Sequence, residues 1–140
     1  MKTLYTATVT NTGGRNGHVK SDNSVLDFDV KMPKGLGGEN DDYTNPEQLF
    51  AAGYAACFGS ALDLAIMKSK VKTGTTSVTA RVSIGQTENG GYQLAVELDV
   101  NIPDVSIEQA NELAAFAHQI CPYSVATRGN IVVDLLITNG

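Results

Sequence analysis

Residues 45–70 open like a helix and are apolar on almost every side. Asn45 suits a helix cap, Pro46 the first helical position, and Glu47 the first turn, where the helix dipole favours a carboxylate. Carried to Lys70, such a helix is roughly 36 Å long at about 1.5 Å per residue. A helix apolar all round must be buried all round, and a chain of 140 residues has few elements with which to cover it. A homodimer that packs these helices between sheets from both chains is the economical solution. Gly53 and Gly59 would permit close backbone approach there. Residues 49–67 are long enough to suggest a membrane span. Asp63, Ser60, the two glycines and many alanines dilute their hydrophobicity, however, so a buried helix without membrane insertion is expected.

The rest of the pattern is mixed. Residues 3–10 alternate with period two and read as a strand, without the apolar run or cleavage pattern of a signal peptide. A glycine-rich loop follows at residues 12–17, then short strands at 19–21 and 25–32 around the turn Asp22-Asn23, and an irregular stretch over 33–43. Residues 77–86 and 92–102 alternate around Asn89-Gly90-Gly91 and form a hairpin. Ser106 and Gln109 make a capping box for a second helix, whose apolar face carries Ile107, Ala110, Leu113, Ala114, Ala117 and Ile120. Cys121-Pro122 ends it, and a turn through Arg128-Gly129-Asn130 leads to a strand over 131–137. The order βββ-α-ββ-α-β is an α+β pattern, with no internal repeat or linker, in a single domain over residues 1–140.

A formal charge of -5 and the absence of any Lys/Arg cluster argue against nucleic acid as a partner. The expected location is the cytoplasm. There the two cysteines, Cys57 and Cys121, are no disulfide framework. They are not spaced as CxxC, and His18 and His118 are too few to complete a zinc site. If the thiols act together, they do so as a catalytic or sensing pair.

Cys57 lies in the apolar helix, far from the N-terminal dipole, in a setting that raises a thiol's pKa. Two readings stand open: core filler, or a nucleophile ionised by a cation from elsewhere. Of the three arginines, Arg81 reads as an outward-facing strand residue. Arg128 follows Cys121 by seven positions and would suit a structural pairing with a carboxylate. Arg15 sits in the glycine-rich loop, whose backbone can approach a cleft closely. Cysteine, arginine and carboxylate make chemical sense together. The planar guanidinium holds the thiolate and polarises a peroxide oxygen, while the carboxylate fixes the guanidinium. Cys121, before a proline at a helix end, is placed to resolve a sulfenic acid. Taken singly, each residue has a plainer reading: Glu47 as a helix stabiliser, Arg15 as a solvated loop residue, Phe50, Tyr54 and Phe58 as core, and both histidines as structural or surface residues.

At these positions the sequence resembles the organic hydroperoxide resistance proteins, the Ohr branch of the Ohr/OsmC family. Gly13-Gly14-Arg15, residues 44–58, and Ile120-Cys121-Pro122-Tyr123-Ser124 continuing to Ala126-Thr127-Arg128-Gly129-Asn130-Ile131 occur in the right order and spacing. Two departures are small. Asn16 stands where many members have an acidic residue, which bears on the tuning of the loop, and Val125 where a polar residue is common. The resemblance implies an OsmC-like fold, with two antiparallel-rich sheets around central buried helices in an intertwined homodimer. It also implies a thiol peroxidase that reduces organic hydroperoxides, lipid-derived ones included, to alcohols. Cys57 then corresponds to the peroxidatic cysteine, Cys121 to the resolving cysteine, Arg15 to the activating arginine and Glu47 to its orienting carboxylate. No metal or flavin is implied; dihydrolipoamide or a lipoylated protein is the expected external reductant.

One geometric expectation is independent of the family. Glu47 and Cys57 are ten residues apart on one helix, about 15 Å along its axis. One guanidinium hardly reaches both, so Arg15 and Glu47 are expected to serve the Cys57 of a partner chain. Two other functions remain open: an OsmC-like peroxidase of the osmotic stress response, and a non-catalytic peroxide sensor or apolar-ligand binding protein.

Overall fold

The long helix forms where its caps direct. In the computed structural model, which describes residues 1–140, helix α1 runs over Pro46–Ser69. The Asn45 side chain accepts a hydrogen bond from the Gln48 amide at 2.8 Å, satisfying one of the donors left free at a helix start. The chain divides into two compact units, Met1–Leu49 and Phe50–Gly140, so α1 begins in the first and continues through the second.

The first unit carries an antiparallel sheet of β1 (Val9–Thr12), β2 (His18–Ser21) and β3 (Asp27–Asp29), in that order. The first strand was expected from residue 3, but pairing begins at Val9 opposite Ser21. The reason lies in its partner. Strand β2 ends at Ser21, where the Asp22 amide makes a last bond to the Thr8 carbonyl, so residues 1–7 find no ladder here. Leu4 and Tyr5 are accordingly exposed. A single bridge between Val30 and Thr44 brings the end of the irregular stretch back beside β3.

The second unit is built on β4 (Ser77–Gln86) and β5 (Tyr92–Asn101), antiparallel through the expected tight connection, in which Gly90 takes a positive φ of 82°. Strand β6 (Val133–Thr138) adds in parallel to β5. Alternation along β5 sends Val96, Leu98 and Val100 into the core, while Glu97 and Asp99 face outward beside Arg81, as expected of that arginine. Helix α2 (Ile107–Ile120) has the expected capping box in full: the Ser106 hydroxyl accepts from the Gln109 amide, and the Gln109 side chain accepts from the Ser106 amide. Its Ala110, Leu113, Ala114 and Ala117 join Tyr54, Phe58 and Leu62 of α1 in one buried cluster with β5.

Sequence reading placed only a turn after Cys121. A short helix, α3 (Pro122–Thr127), occupies that place. Pro122 ends α2 by withholding its amide, and the same property suits it to the first position of the next helix. Along α1, Tyr54, Phe58, Ala61, Leu62 and Ala65 are buried, whereas Ala52, Ala56, Asp63, Leu64 and Met67 are exposed. The helix is long and apolar enough to cross a membrane by length and composition. Gly53 is met by the Tyr123 ring, while Gly59 faces open space. The α+β class is as expected.

Because the Ser106 hydroxyl caps α2, Ser106→Ala should lower unfolding stability by about 1 kcal/mol. Urea unfolding with an unchanged slope would read this directly.

Candidate active site

Arg15 is carried on a loop shaped by glycine and held by asparagine. Gly13 and Gly14 have φ values of 81° and 64°, a conformation that L side chains rarely adopt. A β-carbon on Gly17 would run into the Thr12 carbonyl oxygen. Asn11 spans the loop: its oxygen accepts from the Gly14 amide at 3.0 Å, and its amide nitrogen donates to the Gly14 and His18 carbonyls, both at 3.1 Å. Asn16, the departure from the acidic residue, accepts from the Met32 amide at 3.1 Å. An acceptor oxygen is all that bond requires.

The loop presents the guanidinium to Glu47 as a two-pronged pair. Nη1 donates to Oε2 at 2.9 Å and Nη2 to Oε1 at 2.5 Å. Glu47 is the more enclosed partner, at 12% side-chain exposure against 34% for Arg15. These hydrogen bonds hold the Glu47 carboxyl below its usual range and raise the Arg15 guanidinium further. A guanidinium has five N–H donors and this pairing uses two, so three remain for another acceptor. Beside the loop, both ring nitrogens of His18 meet carboxylates, Nδ1 with Asp29 at 2.7 Å and Nε2 with Asp27 at 2.5 Å. Sequence reading had left His18 as a structural or surface residue. The hydrogen bonds to Asp29 and then Asp27 raise its pKa.

In the second unit the two thiols meet. Both cysteines are free, Cys121 fully buried and Cys57 partly so. The Cys121 thiol is directed at the Cys57 sulfur, 3.5 Å away. A disulfide needs about 2.05 Å between the sulfurs, so a shift of about 1.5 Å closes the bond. Burial is the largest influence on Cys57 and pushes its thiol above the ordinary value, opposed by a hydrogen bond from the Tyr123 backbone amide. Sequence reading missed the influence of that amide. Its signal was Pro122, which starts α3 and so fixes where the next amide points. Burial therefore leaves Cys57 a thiol that must be ionised from outside its apolar surroundings.

The four predicted site residues thus form two pairs, Arg15 with Glu47 in the first unit and Cys57 with Cys121 in the second. Arg128 meets no carboxylate. It donates to the His118 carbonyl at 2.5 Å, serving one of the acceptors left free at the end of α2. Tyr54 and Phe58 are core, as read. Phe50 packs against that core and also helps line a cavity of about 830 Å³ with Tyr92, Leu94, Tyr123, Thr127 and Ile131. No three His, Cys, Asp or Glu side chains gather as a metal-binding group.

The Arg15–Glu47 pair has a pH signature. A carboxyl depressed in the folded state contributes stability above its unfolded value of about 4.3, lost as pH falls through the lower folded value. Wild type should therefore exceed Glu47→Gln in urea stability at pH 7, with the gap closing below about pH 4. A gap constant across that range would contradict the pairing.

Comparison with known proteins agrees with these motifs. The family model described as OsmC-like protein matches residues 38–136. The organic hydroperoxide resistance protein OhrB of Bacillus subtilis is 49% identical over 133 residues, covering 94% of this chain and 96% of the relative. The organic hydroperoxide resistance protein of Xanthomonas axonopodis pv. citri is 47% identical, covering 97% and 96%. The crystal structure of an organic hydroperoxide resistance protein from Elizabethkingia anophelis superposes with a TM-score of 0.96 at 67% identity, covering both chains completely. The chain belongs to the OsmC-like family, in its organic hydroperoxide resistance branch.

Proposed function

We propose that this protein is a cysteine-based organic hydroperoxide reductase acting through Cys57 and Cys121. The observation that carries this reading is the thiol pair, two free sulfurs 3.5 Å apart. The organic hydroperoxide resistance proteins that this chain is similar to supply the substrate class, organic hydroperoxides. Cys57 thiolate attacks the distal oxygen, the O–O bond breaks, and the alkoxide takes a proton and leaves as alcohol. Cysteine is oxidised to sulfenic acid and the hydroperoxide is reduced. The Cys121 sulfur then attacks the sulfenic sulfur, the S–O bond breaks, and hydroxide leaves with the thiol proton as water. A dithiol such as dihydrolipoamide, free or on a lipoylated protein, reduces the resulting disulfide by exchange. The Phe50–Tyr123 cavity, mostly apolar, suits alkyl and fatty-acyl chains.

The reading places the working enzyme in the cytoplasm as an intertwined homodimer, each chain one domain over residues 1–140. The exposed apolar residues of α1 and of the N-terminal arm, Leu64, Met67, Leu4 and Tyr5, support a second copy as their cover. Arg15, oriented by Glu47, supplies the charge that the surroundings of Cys57 lack, across the interface for the reason of helix length given above. No metal or flavin takes part.

Cys57→Ser should abolish turnover of cumene hydroperoxide with dihydrolipoamide; turnover at the wild-type rate would sink the proposal. Arg15→Ala should slow Cys57 oxidation at pH 7 on the order of a hundredfold, the scale of losing one preorganised electrostatic contact. Its rate should recover as pH rises, because without the cation the thiol ionises only at higher pH. Stopped-flow oxidation across pH 6–10 reads both effects.

A further inference from the structure

Behind the two sulfurs lies a buried polar chain that the chemistry above does not use. Tyr54 and Ser124 are fully buried and Thr127 nearly so. The Tyr54 hydroxyl lies 2.9 Å from Ser124 Oγ and 3.1 Å from Thr127 Oγ1, and Ser124 Oγ lies 2.8 Å from His118 Nδ1. Thr127 Oγ1 also lies 2.9 Å from the Tyr123 carbonyl oxygen, one helical turn back.

Counting hydrogens gives this chain a direction. A carbonyl only accepts, so the single Thr127 hydroxyl hydrogen goes to the backbone carbonyls of Tyr123, at 2.9 Å, and Ser124, at 3.2 Å. Tyr54 must then donate to Thr127, Ser124 to Tyr54, and Nδ1–H of His118 to Ser124. Each buried hydroxyl donates once, and none is left without a partner. Burial, with the Arg128 charge second, lowers the His118 pKa. Protonation at Nε2 would in any case leave the Nδ1 donor in place.

The placement of these groups is what gives the chain a role. Tyr54 precedes Cys57 by one turn of α1, His118 precedes Cys121 by one turn of α2, and Ser124 follows Cys121 by three residues. The chain therefore ties all three helices together around the dithiol, and cores with satisfied polar networks are held to one arrangement. Resting on the two-cysteine reading, we propose that His118, Ser124, Tyr54 and Thr127 are positioning residues for the resolving step. They hold Cys121 against Cys57, so that a sulfenic acid closes to the disulfide, releasing water, before a second hydroperoxide oxidises it to sulfinic acid.

Tyr54→Phe keeps the ring and removes only the central hydroxyl. Stopped-flow with cumene hydroperoxide measures Cys57 oxidation in the Cys121→Ser background, and quenched alkylation measures disulfide closure with both cysteines present. Tyr54→Phe should leave the first step within about twofold and slow closure about tenfold, the factor matching loss of a buried hydrogen bond. Sulfinic acid, read by mass, should accumulate. His118→Asn, which keeps a donor near Nδ1, should close at close to the wild-type rate, and His118→Leu should resemble Tyr54→Phe. Closure at the wild-type rate in both Tyr54→Phe and His118→Leu would overturn the proposal, as would equal slowing of both steps with His118→Asn no better than His118→Leu. Equilibrium of the dithiol with a glutathione redox buffer needs no peroxide, and should show the same tenfold loss of disulfide in Tyr54→Phe. If Cys121→Ser protein leaves hydroperoxide untouched, the peroxidase reading falls, and the glutathione equilibrium alone then upholds or overturns the positioning role.

Discussion

A helix with apolar residues on every side has to be covered on every side, and the Phe50–Gly140 unit covers only part of α1. Leu98 and Val100 of β5 and Ala114 and Ala117 of α2 close over Tyr54, Phe58 and Leu62. Ala52, Ala56, Leu64 and Met67 stay open. The covered side builds the core and brings Cys121 to Cys57. The open side is the physical reason for proposing a second copy, because apolar area left in water forfeits about 25 cal/mol for each square ångström.

The same burial sets the chemical problem. Apolar surroundings suit a greasy substrate but disfavour a thiolate, and the Tyr123 amide offsets that only in part. The charge needed is present elsewhere in the chain, on a guanidinium that Glu47 already grips through two hydrogen bonds. Gripping it costs no reach: three donors remain, and the carboxylate fixes the plane in which they point. The loop that carries Arg15 is equally committed, by the positive φ of Gly13 and Gly14 and by the three hydrogen bonds of Asn11. The proposed chemistry thus draws on two preorganised pairs, one offering sulfur and one offering charge.

Local signals were the legible ones. Asn45-Pro46 and Ser106 with Gln109 specify helix starts through bonds spanning three residues, and Asn89-Gly90-Gly91 specifies a turn through φ; each acts as read. The four candidate site residues were nameable through the resemblance of their motifs, since each taken singly has a plainer reading. What sequence could not show depends on partners distant along the chain. Strand β1 starts at Val9 only because β2 ends at Ser21. His18 becomes a two-carboxylate bridge only once β3 pairs beside it, and His118 gains Ser124 only through α3. That short helix was hidden because Pro122 carries two meanings, an end and a beginning.

The claim most in need of measurement is that sulfur and charge come from different chains. Cys57→Ser subunits, inactive as a homodimer, and Arg15→Ala subunits, slowed about a hundredfold as one, should complement when co-expressed and purified as the mixed dimer. One subunit of that dimer has an intact Cys57 and the other an intact Arg15. In the purified mixed dimer one site of two is complete, so activity should return to about half of wild type. No recovery in a mixed dimer shown to be folded and reduced would place Arg15 and Cys57 of one chain in the same site, and would contradict the account.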